Sequence, residues 1–553
     1  MSKNLANDEL LFVPLGGVGE IGMNMSLYGY GDSWLMIDCG VTFGEDSAPG
    51  VDIVMADPSF IVERRDKLAG IVVTHGHEDH IGAIPHLWRR LGKPPIYATP
   101  FTAALLREKA IESGMERELK VTRIALSGRF EVGPFEIELV TVTHSIPEPN
   151  AVVLRTPLGT VVHTGDWKLD PGPLVGPTAD EDRLRSIGDE GVLALICDST
   201  NALKPGETGS ETDVRQALTE LVGKYQKRVI IACFASNVAR VESIAAAGEA
   251  HDRNVALVGR SLWRIEKAAR ESGYMQDVPA FVSEDDAGFL PRDKALFICT
   301  GSQGEPRSAL ARIAQGDHPH VTIEAGDVVV FSSRIIPGNE KAINRLQNQL
   351  ARRGVLIVTE QDHFVHVSGH PARAELVRMY QMLRPRIAVP VHGEMRHLIA
   401  HAELALECQA KQAIVTQNGQ MIRLAPGPAE VVDEVPIGKL GLDGKCLRAI
   451  SSEAVRDRQK MVFSGSALAT LVLDRKGKLL ATPTVTVRGI LDDDKEMAIA
   501  GLGENLGRVI TNLDSDQRGD DEVVRETARL AIRRSLNASH GKKPLTDVHI
   551  VRL

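Results

Sequence analysis

One short run of residues constrains this chain more than any other. Histidines and carboxylates crowd into residues 75–80, which read His-Gly-His-Glu-Asp-His, between a predicted buried strand (69–74) and a predicted helix (81–90). In extended backbone alternate side chains share a face, so His75, His77 and Asp79 converge while His80 turns toward a second nearby point. A solvated polar loop is the alternative, but chance clustering of an uncommon residue is rare. The hexapeptide predicts a metal site with room for two ions.

Length and composition set limits on the rest. A chain of 553 residues exceeds one hydrophobic core and predicts about three domains. With 43% hydrophobic and 25% charged residues, no apolar run suited to a membrane helix and no secretory h-region at its start, it is expected to be a cytoplasmic protein without membrane contact. The six cysteines are scattered, which excludes a zinc ribbon and a disulfide framework. A net charge of −9 argues against non-specific coating of nucleic acid, although a focused basic groove is compatible with it.

The order of predicted strands and helices along the chain indicates that the first domain is interrupted by an insertion. Strands alternate with turns and short helices over the first 200 or so residues, a different pattern of helices and buried strands follows, and histidines return after about residue 355. An inserted domain explains that return. The predicted parts are a first domain (1–205), an inserted α/β domain (206–360), a segment completing the first domain (361–435), a linker (436–460) and a small α+β domain (461–553).

The glycines of residues 17–22 match the pattern of a dinucleotide-binding turn, and Asp38 lies downstream at a suitable distance. Such a turn must open a helix whose N-terminus faces the pyrophosphate. Residues 23–30 show no helical stripe and lead into a predicted strand instead. We therefore favour a tight hairpin at a sheet edge over nicotinamide or flavin binding.

Further candidate ligands stand at predicted strand ends: His144, Asp166 and His392 each follow an apolar run. A lone histidine there is more often a hydrogen-bonded core residue, so the hexapeptide carries the argument. If those strands are neighbours, one ion is held by His75, His77, His144 and Asp166, and the other by Asp79, His80, His392 and the same Asp166. Imidazole and carboxylate ligands suit Zn²⁺, with Mn²⁺ as competitor. Two such ions sharing a water form hydrolytic machinery.

These motifs resemble those of the β-CASP group of metallo-β-lactamase-fold nucleases, and within it the bacterial ribonuclease J family. The resemblance runs nearly end to end and implies an αββα sandwich with an inserted β-CASP α/β domain and a small α+β C-terminal domain. The similar segments are Asp38 and residues 15–22, 75–80, 143–147, 164–166, 197–201, 234–237, 300–305, 332–340, 366–371 and 390–394.

The resemblance also implies roles for individual residues. Asp79 is a ligand that orients the attacking hydroxide, Asp38 fixes a ligand imidazole, Asp198 supports the site, and His370 is a candidate general acid or phosphate clamp. A pocket for a 5′-terminal monophosphate is implied at Ser236, Asn237, His366, Val367, Ser368, Gly369 and His370. Helix capping by Ser236 and Asn237, and a simple turn at Ser368 and Gly369, remain the structural alternatives, and capping is compatible with phosphate binding.

What the resemblance implies for function is a ribonuclease acting on single-stranded RNA, in RNA maturation and mRNA decay. It would combine 5′-to-3′ exonuclease activity, preferring a 5′ monophosphate, with endonuclease activity, and would use two divalent ions, Zn²⁺ first and Mn²⁺ or Mg²⁺ next. A homodimer or homotetramer joined through the C-terminal domain, with RNA-decay partners, is expected. Two other readings stay open: a small-molecule hydrolase such as a lactonase or thioesterase, and an inactive RNA-binding partner subunit.

Overall fold

The computed structural model describes residues 8–44, 48–492 and 495–553. Within these ranges no helix is both long and apolar enough to cross a membrane. The strands are β1 (Leu10–Gly16), β2 (Val18–Gly19), β3 (Met25–Tyr30), β4 (Ser33–Ile37), β5 (Val41–Phe43), β6 (Ile53–Ala56), β7 (Leu68–Val72), β8 (Ile96–Ala98), β9 (Val121–Arg123), β10 (Arg129–Val132), β11 (Phe135–Thr141), β12 (Asn150–Thr156), β13 (Gly159–His163), β14 (Ala194–Asp198), β15 (Val229–Ala232), β16 (Asn254–Val258), β17 (Ala295–Cys299), β18 (Val328–Phe331), β19 (Leu356–Val358), β20 (Ile387–Val391), β21 (Gly393–Glu394), β22 (Gln412–Ala413), β23 (Gln420–Ala425), β24 (Glu430–Glu434), β25 (Lys439–Asp443), β26 (Cys446–Ala449), β27 (Ser466–Leu473), β28 (Thr484–Arg488) and β29 (Leu545–Arg552).

Helices and strands alternate in the first two thirds of the chain, and helices are concentrated near its end. The α-helices are α1 (Ser59–Val62), α2 (Glu78–Ile81), α3 (Ile84–Leu87), α4 (Pro100–Glu112), α5 (Glu181–Glu190), α6 (Glu211–Gly223), α7 (Val238–Ala250), α8 (Arg260–Glu271), α9 (Glu284–Ala287), α10 (Ala309–Gln315), α11 (Glu340–Arg352), α12 (Arg373–Leu383), α13 (Met395–Glu407), α14 (Glu453–Ser464), α15 (Lys495–Thr511), α16 (Ser515–Gly519) and α17 (Asp521–His540). Two 3₁₀ turns lie at Arg65–Lys67 and Arg292–Lys294.

Two sheets face each other across one apolar core. Their strand orders are β24-β23-β1-β3-β4-β7-β8-β9 and β10-β11-β12-β13-β14-β20-β22. Phe12 and Leu35 of the first sheet share a fully buried cluster with Val389 of the second. Helices cover the outer faces: Phe60 of α1 packs edge-on against Trp34 of β4 at a ring distance of 5.3 Å, and α5, α12 and α13 cover the second sheet. The layers form the expected αββα sandwich.

Strand direction places the carboxyl ends of several strands at one edge. In the second sheet β13, β14 and β20 pair in parallel, and in the first sheet β4, β7 and β8 do so. Strand β11 is antiparallel to β12, which is antiparallel to β13, so β11 ends at the same edge. Polar residues that follow these strands therefore collect at one edge of the sandwich, as the sequence predicted.

The glycine-rich segment 17–22 precedes a strand, not a helix. Strand β3 follows and pairs antiparallel with β1, while β2 within the segment pairs with β21. Gly17, Gly19 and Gly22 all have positive φ, a conformation that favours glycine. The connection is thus a turn between neighbouring strands, and the dinucleotide-binding context is absent from this described part of the chain.

One predicted helix differs from the structure. Residues 81–90 were expected to form one helix, but α2 ends at Ile81 and a separate α3 begins at Ile84. Between them lies Gly82, a poor helix former, and Pro85 lacks an amide hydrogen. The Ala83 amide donates to the Cys39 carbonyl at 3.0 Å, a bond outside the helix. This hydrogen bond connects the turn that carries the candidate metal ligands to the residues just after β4.

The insertion is a parallel sheet of order β16-β17-β15-β18-β19 with helices packed on it. Strands β15, β17 and β18 are buried along their whole length, which fits a parallel sheet covered on both faces. A buried ion pair joins the start of this region to its core: Arg240 Nη2 lies 3.0 Å from Glu211 Oε1. The same guanidinium donates to Ser332 and to the Val365 carbonyl, so it fixes the chain where it leaves the insertion.

A second compact unit consists of residues 43–54 and 439–553. In it β27 pairs antiparallel with β28 and parallel with β29, and α15 and α17 bury an apolar face on that sheet. The predicted linker 436–460 is not extended chain, because it contains β25, β26 and the start of α14. The reason is long-range pairing: β25 lies beside β6 in a sheet of order β26-β25-β6-β5.

Candidate metal centre and adjoining pocket

The hexapeptide turn is fixed by a buried carboxylate at the end of β4. Asp38 Oδ2 accepts from Nδ1 of His80 at 2.7 Å, and Asp38 Oδ1 accepts from the Thr74 amide at 2.8 Å. A carboxylate facing a ring nitrogen at this distance accepts its hydrogen, so Nε2 of His80 is the nitrogen left to face a metal ion, and in the neutral ring it carries the lone pair. Asp38 thus sets both the tautomer and the direction of a candidate ligand, the role the resemblance implied.

Three imidazole nitrogens meet at one point. His77 Nδ1 lies 3.0 Å from His75 Nε2 and 3.0 Å from His144 Nε2. Nδ1 of His144 donates to the Gly369 carbonyl at 2.6 Å, which leaves Nε2 as an acceptor. A side chain at Gly369 would lie 2.5 Å from the His144 ring, so only glycine permits this approach. With an Asp166 oxygen, these nitrogens form a group whose ligand atoms all lie within 4.8 Å of one another.

A second group adjoins the first. Its members are Asp79, His80, His392 and again Asp166, with His392 Nε2 3.2 Å from Asp79 Oδ2 and His80 Nε2 3.2 Å from Asp166 Oδ2. His392 has a left-handed φ of 51°, and its amide donates to the Gly17 carbonyl. The structure therefore brings together all seven predicted ligands in the two sets that strand-end reasoning proposed.

The donor set fits divalent metal ions. Imidazole nitrogens 3.0 Å apart are close to the spacing in a zinc site, because four-coordinate Zn²⁺ separates its nitrogen ligands by a little more than this. Asp166 Oδ1 is buried and has no hydrogen-bond partner in the described structure. An unsatisfied buried carboxylate oxygen is costly, and coordination would satisfy it. Asp166 belongs to both groups, as a bridging ligand must.

Burial and neighbouring charges shift the pKa values of the candidate ligand imidazoles in opposite directions. Burial lowers the pKa of His77 to about 4 and holds those of His75 and His144 well below the usual value, so all three are neutral ligands. Burial also opposes protonation of His80, but Asp166, Asp79 and Asp38 outweigh it and raise its pKa well above the usual value. The first group is thus an imidazole site, and the second is rich in carboxylate.

His370 reaches the centre from the segment after the insertion. Its Nδ1 lies 2.8 Å from Asp198 Oδ2 and 3.9 Å from Asp166 Oδ2. Burial lowers its pKa, but Asp198 and Asp166 outweigh that effect and raise it. Asp198 also accepts from the Thr200 amide and hydroxyl, which fixes its orientation. The structure therefore pairs the proposed general acid with the supporting carboxylate.

A pocket of about 270 Å³ lies beside this centre. It is lined by Lys204, Thr208, Arg334, Glu360, Phe364, His366, Val367 and Ser368. Burial holds the pKa of His366 well below its usual value, and nearby cations including Arg334 and Lys204 lower it further. The Nδ1 atom of His366 is buried and has no hydrogen-bond partner among the described residues. Two cationic side chains and an unpartnered imidazole nitrogen, against the single carboxylate of Glu360, suit an anionic ligand.

Two predicted pocket residues are absent from the lining of this cavity. Asn237 is 4% exposed and caps α7, because its side chain accepts from the Arg240 amide at 2.9 Å and donates to Glu211. Ser236 precedes that cap and does not line the described pocket. Lys204 and Arg334, which do line it, were not singled out from the sequence. Arg334 donates to the Asn201 side chain at 3.1 Å, and Asn201 donates to Ser368 and the His370 carbonyl.

The sandwich, its insertion and the paired His/Asp groups define a hydrolase of the metallo-β-lactamase superfamily. Comparison with known families agrees segment by segment. Residues 18–226 match the metallo-beta-lactamase superfamily, 226–350 the ribonuclease J beta-CASP domain, 354–415 a Zn-dependent metallo-hydrolase RNA specificity domain, and 453–553 the ribonuclease J C-terminal domain.

Relatives extend the match over the full length. The chain is 47% identical to ribonuclease J of Sinorhizobium meliloti (99% of this chain, 98% of the relative) and 36% identical to that of Thermus thermophilus (98% and 95%). A solved Enterococcus faecalis protein of unknown function shares the fold at 16% identity, with a TM-score of 0.52 over 75% of this chain and all of its own. The chain belongs to the ribonuclease J family.

Proposed function

We propose that the protein degrades single-stranded RNA from a 5′-monophosphorylated end, and also cuts RNA internally, by hydrolysis at a two-metal centre. Family membership makes it a metal-dependent enzyme that hydrolyses RNA. The observation that carries the finer proposal is a single short segment, 364–370, that joins the two sites. Its His366 and Ser368 line the anion pocket, and its His370 lies against Asp198 and Asp166 at the metal groups.

Metal ions are implied by the family, and Zn²⁺ fits the donors best, with Mn²⁺ or Mg²⁺ as alternatives. His75, His77, His144 and Asp166 would hold one ion, and Asp79, His80, His392 and Asp166 the other. When bound, the ions lower the pKa of a shared water and neutralise charge on the phosphate.

The chain's own residues supply orientation and protons. Asp79 is the most exposed carboxylate of the second group, with a side chain 29% exposed, so it can reach and orient an attacking water. Asp38 holds His80 in the tautomer that binds metal. His370, with Nδ1 on Asp198, has its other ring nitrogen available to donate a proton to the leaving oxygen or to clamp the scissile phosphate.

The pocket supplies direction. A 5′ phosphate held by His366, Ser368, Lys204 and Arg334 would fix how far along the strand hydrolysis occurs, so that one nucleotide would be released per event. Internal cleavage needs no terminal phosphate and uses the metal centre alone. The proposed role is maturation and decay of cytoplasmic RNA, carried out by a homodimer or homotetramer that can join other RNA-decay proteins.

The alternatives have less support. A small-ester hydrolase does not need an anion pocket continuous with the metal groups, and an inactive partner subunit does not need seven intact ligands.

The test is digestion of single-stranded RNA labelled at its 3′ end and carrying either a 5′ monophosphate or a 5′ triphosphate. Reactions contain Zn²⁺ or Mn²⁺, and a parallel set contains chelator. We expect progressive shortening from the 5′ end, faster for the monophosphate and abolished by chelation. Intact RNA in every metal-containing reaction would refute the proposal, and metal analysis would then separate the partner-subunit reading from a small-molecule hydrolase.

A further inference from the structure

An aromatic ring stands exposed in the charged pocket. Phe364 is 49% exposed, yet the other side chains lining its cavity are mostly polar or charged. Gly209 is near the ring edge: a Cβ added there would lie 3.3 Å from Val367 Cγ1 and 3.9 Å from Phe364 Cζ. About half of Phe364 therefore remains exposed where it lines the cavity.

The backbone explains why the ring faces this way. Residues 364–368 are neither helix nor turn, and Val365 and Val367 are buried at 0% and 4% exposure. The more exposed residues Phe364, His366 and Ser368 alternate with these valines and all three line the pocket, which Val367 also touches from its buried position. The aromatic ring and the proposed phosphate ligands thus lie in one cavity, and alternate residues of an extended chain are about 7 Å apart.

We propose that Phe364 is the platform on which the first nucleobase of the RNA stacks, so that the pocket recognises a whole 5′ nucleotide. The inference rests on the proposed function, because it takes the pocket to hold the RNA 5′ end. Proteins that hold single strands commonly combine cationic contacts to phosphate with aromatic faces for bases. A cavity of about 270 Å³ is near the lower limit of small-molecule sites, which suits one nucleotide.

The experiment is a double-mutant cycle in which the Phe364 ring and the first nucleobase of the RNA are removed singly and together. kcat/KM is measured with 5′-monophosphorylated RNA whose first residue is normal or abasic, for the unmodified enzyme, Phe364→Ala and Phe364→Trp. The unmodified enzyme and Phe364→Trp should lose roughly 10-fold on the abasic RNA. Phe364→Ala should lose about as much on normal RNA and be indifferent to the base. Phe289→Ala, which removes a ring 85% exposed and outside the pocket, is the matched control.

Two results would overturn the inference: an unmodified enzyme indifferent to the first base, or a Phe364→Ala variant that loses the same factor on both RNAs. The latter would mean that the ring only supports the fold of the pocket. A 5′-hydroxyl RNA run in parallel separates this from the proposed function. If kcat/KM is the same with and without the 5′ phosphate but still depends on the first base through Phe364, the phosphate pocket is refuted and base stacking on Phe364 is retained.

Discussion

Asp38 Oδ2 lies 2.7 Å from Nδ1 of His80, although the two residues are 42 positions apart. Asp38 itself has a φ of 61°, a left-handed conformation that is strained for a residue with a side chain. Its carboxylate accepts from the amide and hydroxyl of Thr74, and these bonds stabilise the conformation. The strain is thus retained at the point where a candidate metal ligand must be aimed.

Replacing Asp38 should weaken metal binding without removing a ligand. We expect Asp38→Ala to lower metal affinity by about 10- to 100-fold, because His80 loses the partner that fixes its tautomer. Competition with a calibrated chelator measures this. Asp32→Ala, which removes an exposed ion-pair partner of Lys67, is the control. Equal metal affinity in the two variants would refute the role of Asp38.

His80→Ala should remove cleavage and spare folding, since it empties a position of the second metal group. RNA turnover and metal content are measured together with circular dichroism and Tm. The neighbouring His86→Ala, outside both ligand groups, should retain activity. Undiminished turnover in His80→Ala would end the two-metal proposal.

Breaking the buried pair between Arg240 and Glu211 should destabilise the protein. Arg240→Met leaves the Glu211 carboxylate buried without its cation, which costs about 3–5 kcal/mol in free energy of unfolding. The double variant Arg240→Met/Glu211→Leu should recover part of that loss, as chemical denaturation would measure. A double variant less stable than Arg240→Met would contradict this account.

We also expect Arg240→Met to discriminate less between 5′-monophosphorylated and 5′-triphosphorylated RNA, because Arg240 fixes the Val365 carbonyl beside the pocket.

Glu138 should contribute stability that depends on pH. Burial opposes its ionisation, but Arg183 and Arg155 outweigh that effect and lower its pKa from 4.5 to about 2. Because the folded pKa is the lower one, the contribution is complete above pH 4.5 and declines as the pH falls toward 2. Tm of the unmodified protein should therefore exceed that of Glu138→Gln most at neutral pH, and the gap should narrow below about pH 4.5. A Tm difference between the two proteins that does not change with pH would refute this prediction.

The C-terminal domain should hold an oligomer together. In that unit Phe463 is 74% exposed and Val462 is 66% exposed, side by side at the end of α14. Deleting residues after Met461 should convert the oligomer to a smaller species in sedimentation. Because that cut falls inside α14, Phe463→Glu is the gentler test, with Phe289→Glu as control. An unchanged number of chains per particle in both the truncated protein and Phe463→Glu would refute this.

Much of the metal centre could be predicted because its ligands stand at the ends of apolar runs. The hexapeptide, Asp166 and His392 can be recognised by residue type, and the carboxyl ends of parallel strands meet at one edge of a sheet. The pocket could be predicted only in part. Arg334 and Asn201 are 133 positions apart, and no periodic pattern links two loop residues at that distance.

Two features lie beyond what local pattern predicts. Asn237, which the resemblance assigned to the pocket, caps α7 with its side chain, a role compatible with phosphate binding. Residues 436–460 lack strong periodicity and were taken for a linker, yet β25 finds its partner in β6, nearly 400 residues earlier. Pairing over such distances is decided by the folded environment, which short windows of sequence do not contain.

His392 completes the second ligand group and lies 313 residues after Asp79, beyond the whole insertion. During synthesis on a ribosome, the hexapeptide emerges long before this last ligand does. A growing chain therefore carries an incomplete centre until the insertion has been made and residues through 392 are free to fold. A nascent chain released before residue 392 would hold only three of the four members of that group.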